Sequence, residues 1–154
     1  MHIIPQVLDQ TLQEIAKEQI TAGESVSEGA TDFEIERVIE EVKTHLNIEL
    51  PQSYVMVLRQ RNGIDYDGVV FYSASDTAGN PSPSGFWQGV VASNQAWRSD
   101  NAYTDLLILG DSSMDIFAFD PALKEFTRRD RITGDIITTY HDAVTMVEDA
   151  LKSH

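Results

Sequence analysis

Four short β-rich runs crowd into residues 106–140, and the brevity of their connections constrains the fold more than anything else in the chain. Leu106-Leu107-Ile108-Leu109 is unbroken apolar sequence, as in a central strand buried on both faces. Ile116-Phe117-Ala118-Phe119 is the next run, and Asp120-Pro121 begins a turn after it. Residues 125–130 and 136–140 supply two more, parted by Arg131-Ile132-Thr133-Gly134-Asp135. Parallel neighbours need a crossover of about a dozen residues or more. No connection here is that long, so these strands are expected to pair antiparallel. Val69-Val70-Phe71-Tyr72 reads as an earlier strand, with Asp65-Tyr66-Asp67-Gly68 as the turn leading into it.

Before and after these runs the period is helical. Ile4, Val7, Leu8, Leu12, Ile15 and Ala16 predict a helix over residues 5–20, with Pro5 near its start. Residues 21–30, with Gly23 and Gly29, read as a mobile surface loop. Thr31 and Glu34 have capping-box spacing and open a second helix, whose buried stripe is Ile35, Val38, Ile39, Val42 and Leu46. Glu36, Glu40 and Glu41 fall on its outer side. Pro51 starts a third helix, because it fixes φ and lacks a donor that the first turn leaves idle. Tyr54 and Leu58 lie one turn apart on it, and Asn62-Gly63 reads as its stop. Residues 90–98 form a short helix with Val90, Asn94 and Trp97 on one side, and Asp142 caps a last helix. Helices, strands, then a helix make the α+β pattern: a single domain, N-terminal helices packed on a mainly antiparallel sheet, and a closing C-terminal helix.

Twenty-five Asp and Glu against 11 Lys and Arg give a net charge of −14. Residues 1–50 carry −8 and residues 64–120 carry −7, whereas residues 121–154, with six acids and five bases, are close to neutral. Such a balance argues against nucleic acid and anionic membrane, which need basic footprints, and permits a basic protein partner, solubility alone being the other reading. The chain has no cysteine, which removes disulfide and thiolate chemistry and fits a reducing compartment. No signal-peptide pattern begins it, and no run approaches the roughly 20 apolar residues of a membrane span. A cytoplasmic protein is expected.

The ordered set Leu50-Pro51, Tyr54, Leu58, Asn62-Gly63 resembles the signature of the SUKH superfamily, many of whose members are intracellular immunity proteins against polymorphic bacterial toxins. Later segments are similar to its YrhA-like branch: Val69-Val70-Phe71-Tyr72, Ala96-Trp97-Arg98, Ile108-Leu109-Gly110-Asp111-Ser112, Ile116-Phe117-Ala118-Phe119-Asp120 and Gly134-Asp135-Ile136. The resemblance covers residues 30–152, and its motifs specify the fold rather than the partner. It implies a non-catalytic protein without cofactor that neutralises a toxin by direct binding; the acidic charge, rather than the resemblance, points to a basic toxin domain as the partner. A housekeeping or regulatory SUKH-type protein with a non-toxin partner is the alternative.

Gly110-Asp111-Ser112 also looks like the nucleophile block of GDSL esterases, which would make Ser112 the serine of a hydrolase. That chemistry needs a base oriented by a carboxylate, and the 42 residues after Ser112 contain no Asp-x-x-His. A β-turn accounts for the same three residues. Asp65-Tyr66-Asp67-Gly68 alternates carboxylates without the further oxygens of an EF-hand, and His2, His45, His141 and His154 lack paired ligand spacing, so no metal is expected. Phe86 and Trp87, at the end of the Gly- and Pro-rich stretch that runs from residue 75, are candidate interface anchors, a lid over the sheet being the other reading for Trp87. Glu36, Glu40, Glu41, Asp65 and Asp67 are candidate steering carboxylates. Trp97 is expected in the core, and Arg128, Arg129 and Arg131 are expected to break up an edge strand.

Overall fold

A computed structural model describes residues 6–24, 26–74 and 88–152. The stretch 75–87, with Phe86 and Trp87, lies outside them, as do Ile4 and Pro5.

Helix α1 (Gln6–Thr21) buries Leu8, Leu12 and Ile15, as their spacing requires. Val7, expected in the same stripe, is 50% exposed instead. Helix α2 (Asp32–Leu46) begins with the expected capping box: Glu34 N donates to Thr31 Oγ1 (3.2 Å), and Thr31 N donates to Glu34 Oε1 (2.9 Å). It ends on Asn47, whose left-handed φ of 57° turns the chain away. Helix α3 (Gln52–Gln60) follows Pro51 and buries Tyr54, Val55, Val57 and Leu58.

The connection between α1 and α2 is not the mobile loop its composition suggested. Ala30 N donates to Leu58 O (2.8 Å), and Asn62 N donates to Glu28 O (2.7 Å), so the segment lies along the end of α3. Gly29 permits this approach, since a Cβ there would stand 1.9 Å from Arg59 O.

Among the described residues, six antiparallel strands form one meander in chain order: β1 (Ile64–Tyr66), β2 (Val69–Phe71), β3 (Leu107–Asp111), β4 (Asp115–Asp120), β5 (Glu125–Asp130) and β6 (Ile136–Tyr140). Strand β1 falls where the sequence predicts a turn. The turn itself is only Asp67-Gly68, at left-handed φ of 51° and 82°, which makes Tyr66 face Val69 in a two-residue hairpin. Gly110 and Asp111 likewise belong to β3 rather than to a turn, and a Cβ on Gly110 would meet Val70 O at 2.4 Å. Strand β5 lies between β4 and β6, so its arginines do not guard an edge.

Phe71, Phe117, Phe119, Phe126 and Tyr140 are buried, with ring pairs at 5.1 Å (Phe71–Phe117) and 4.8 Å (Phe119–Phe126). Helix α5 (Ala143–Lys152) packs against β2, β5 and β6 and against α1 and α3. Asp142 caps it as expected, accepting from Thr145 N at 2.8 Å. Helix α4 (Val90–Trp97) leans on α2 and β3.

Candidate functional site

The densest polar construction sits where β2 runs out beside β3. Strand β2 pairs only with Gly110 and Asp111, so Ile108, paired with Ala118 of β4 on one side, has no strand partner on the β2 side. Asn94, fully buried on α4, takes that place: its Oδ1 accepts from Ile108 N (2.7 Å) and its Nδ2 donates to Ile108 O (2.7 Å). A side-chain amide offers one donor and one acceptor in the pattern of a peptide, so it substitutes for a strand residue.

Next to it, the Tyr72 hydroxyl donates to Asp111 Oδ2 and accepts from Trp97 Nε1 at 2.9 Å. Burial, and secondly the bond to Asp111, push the Tyr72 phenol well up, so it keeps its proton. Arg131 completes the group. Its Nη1 donates to Asp111 Oδ1 (3.1 Å) and to Ser112 O (2.8 Å), and its guanidinium lies 5.1 Å from the centre of the Trp97 ring. Tyr103 meets the same indole edge-on at 5.7 Å. Trp97 is thus half-buried and packed against the core as expected, with its indole edge joined to this polar cluster.

This cluster braces both sides of the point where the described chain leaves at Ala74 and returns at Gln88. Ser73 N donates to Gln88 O (2.8 Å) and Val90 N to Ser73 O (2.9 Å). Asn62, expected only as a helix stop, accepts from Ala74 N through Oδ1 (2.7 Å) and donates to Glu34 Oε2 (3.2 Å). Periodicity carried one clue to these residues: Asn94 was the lone polar group on the apolar side of its helix.

The Ser112 hydroxyl accepts from Met114 N (3.3 Å) and Asp115 N (3.1 Å), which closes the β3–β4 connection. Asp115 is buried and holds Arg128 Nε at 2.9 Å.

The candidate carboxylates divide between two elements. Glu36 and Glu40 are exposed on α2. Glu41 is not on that solvated side: it is half-buried, its Oε1 4.0 Å from Arg37 Nε, because position 41 flanks the buried Val38 and Val42. Phe33, which helical spacing does not single out, is 69% exposed on α2, with the Arg37 guanidinium 5.9 Å from its ring centre. Phe33, Glu36, Arg37 and Glu40 recur at helical spacing and so share one face. Asp65 and Asp67 are exposed on the β1–β2 hairpin, which rests on α1 through Gln19 Nε2 to Asp65 O (2.7 Å) and Tyr66 OH to Glu18 Oε2 (2.8 Å).

Among the described residues, no three His, Asp or Glu gather in a way that could hold a metal, and no helix is long and apolar enough to cross a membrane. An open cleft of about 420 Å³ carries Tyr103, Asp105, Asp120 and Arg129, and another of about 510 Å³ lies between Leu50–Ser53 and the Phe119–Phe126 pair. The architecture is α+β, with helices at the N-terminus and a closing C-terminal helix on one antiparallel sheet. No family model matches the chain, and no curated protein matches it.

Proposed function

We propose that this chain is a non-catalytic SUKH-type binding protein that captures a basic protein domain, and that it serves as the immunity partner of a bacterial toxin. The observation that carries this reading is the outer face of α2. There a large exposed aromatic, Phe33, stands among Glu36 and Glu40 on a helix fixed by a capping box. A rigid aromatic ringed by charge is the composition of an interface anchor with a steering rim. Ser112 supports the non-catalytic part, since its hydroxyl accepts from two backbone N–H groups of its own turn.

The test is surface capture of the neighbouring gene's product. Raising the ionic strength from about 0.01 to 0.15 M shortens the screening length from roughly 30 to 8 Å. Association is expected to slow steeply while dissociation holds. Phe33→Ala is expected to act oppositely, raising the dissociation rate at a cost of about 2 kcal/mol. No binding, or salt-independent binding that ignores Phe33→Ala, refutes the proposal. Stoichiometric labelling of Ser112 by a serine-reactive phosphonate would put a hydrolase in its place.

A further inference from the structure

We propose that two copies of this chain associate through strand β6, pairing antiparallel about a twofold axis at Thr138 and joining their sheets edge to edge. Strand β6 ends the sheet, and among the described residues no backbone hydrogen bond leaves Ile136–Tyr140 on its outer side. The strand reads Ile-Ile-Thr-Thr-Tyr, with neither charge nor proline, the composition that favours pairing with another chain. A bulge opposite Arg128 and Arg129 is its one irregularity. The bulge does not hide the strand, because Ile136 and Ile137 are 52% and 53% exposed. The apolar surface continues around the adjoining turns through Ile132 (93% exposed) and Met114 (74% exposed), which are brought together by the Arg131 N to Met114 O bond of 2.9 Å.

Charge selects a second copy as the occupant. In a chain of net charge −14, residues 121–154 hold six acids and five bases, so two identical molecules meet here with less repulsion than across the acidic segments 1–50 and 64–120. The strand is also complementary to itself. Antiparallel pairing about Thr138 sets Ile137 against Thr139, Ile136 against Tyr140, and Asp135 against His141, a carboxylate beside an imidazole at each end. Five paired residues and the isoleucine patch make a contact smaller than the roughly 1,600 Å² of a standard stable interface. The dimer is therefore reversible and concentration-dependent.

Sedimentation velocity of the full chain, from micromolar to millimolar, is expected to show a monomer–dimer equilibrium. Ile137→Lys/Thr139→Lys sets lysine against lysine twice across the axis and is expected to leave only monomer. Ile137→Lys/Thr139→Glu sets lysine against glutamate in the same register and is expected to restore the dimer. Both positions are exposed, so the variants are expected to fold, and circular dichroism checks it. Hydrogen exchange on the unaltered chain reads the same contact without substitution: β6 amides gain protection with concentration and β1 amides do not. A chain that stays monomeric throughout, a dimer untouched by the double lysine, or a lysine–glutamate variant that stays monomeric overturns the proposal. So does a partner's strand that protects β6 where self-association is absent.

Discussion

Strand β1 finishes one side of the sheet in three residues, carries Asp65, and accepts a hydrogen bond from Gln19 of α1 at its outward carbonyl. Strand β6 finishes the other side in five residues, with no charge and two outward isoleucines. A sheet edge is a row of unused donors and acceptors, and it is blunted by shortness, charge or cover. Strand β1 has all three, and β6 has only a bulge. Between them lies a third edge, the buried flank of β3 that β2 fails to reach, and there Asn94 supplies the missing pairing from a helix. Two of the three edges are thus closed by side chains from other elements, and the open one lies in the nearly neutral quarter of an acidic chain.

The comparison is most severely broken on the covered side. Tyr54 is fully buried, and its hydroxyl donates to Tyr72 O (2.5 Å) and approaches Leu109 O (3.3 Å), which fastens α3 to β2 and β3. Tyr54→Ala is expected to cost about 3–5 kcal/mol in urea unfolding, and Leu58→Ala about 2–5 kcal/mol. A near-neutral result at both would remove α3 from the core.

Asn94→Ala comes next. It leaves the N–H and C=O of Ile108 buried without partners, and a loss of about 2–3 kcal/mol is expected. Hydrogen exchange would locate the damage: the Ile108 amide is expected to lose protection while β5 and β6 keep theirs. Uniform loss would mean that the β3 flank is not a separate edge.

On the β6 side the expected effect is confined to alkaline pH. Burial, and then the hydrogen bond to Asp149, raise the Tyr140 phenol from an ordinary 10.0 to about 12. Its proton is held longer in the folded than in the unfolded chain, so its contribution is complete below pH 10 and lost as pH rises through about 12. Melting temperatures over that window are expected to fall less for Tyr140→Phe than for the unaltered chain. Parallel falls would show that the phenol is not held by α5.

The smallest effect sharpens the contrast. Ile137→Lys, at a site 53% exposed, is expected to change stability by no more than about 0.5 kcal/mol in the dilute chain. A large loss there would mean that β6 is packed rather than open.

Much of this architecture was already written in local sequence. The antiparallel order of β3 to β6 follows from connections too short for crossovers, and the caps at Thr31 and Asp142 follow from side chains that reach only three residues along. Periodicity separated helix from strand because each buries a face at its own spacing. Strand β1 escaped because three residues centred on Asp65 are too few to show a period, and their pairing depends on Val69–Phe71 across the turn. Only the tertiary structure decided what the polar side chains do. Asn62, Asn94, Tyr72 and Arg131 each find partners 12 to 39 residues away, and Glu41 turned from solvent toward Arg37. The candidate α2 face was half legible, with Glu36 and Glu40 placed correctly outside and Phe33 overlooked, because exposure of an aromatic depends on what packs over it. A hydrogen bond is satisfied by whichever group the folded chain brings within about 3 Å, and no local pattern names that group in advance.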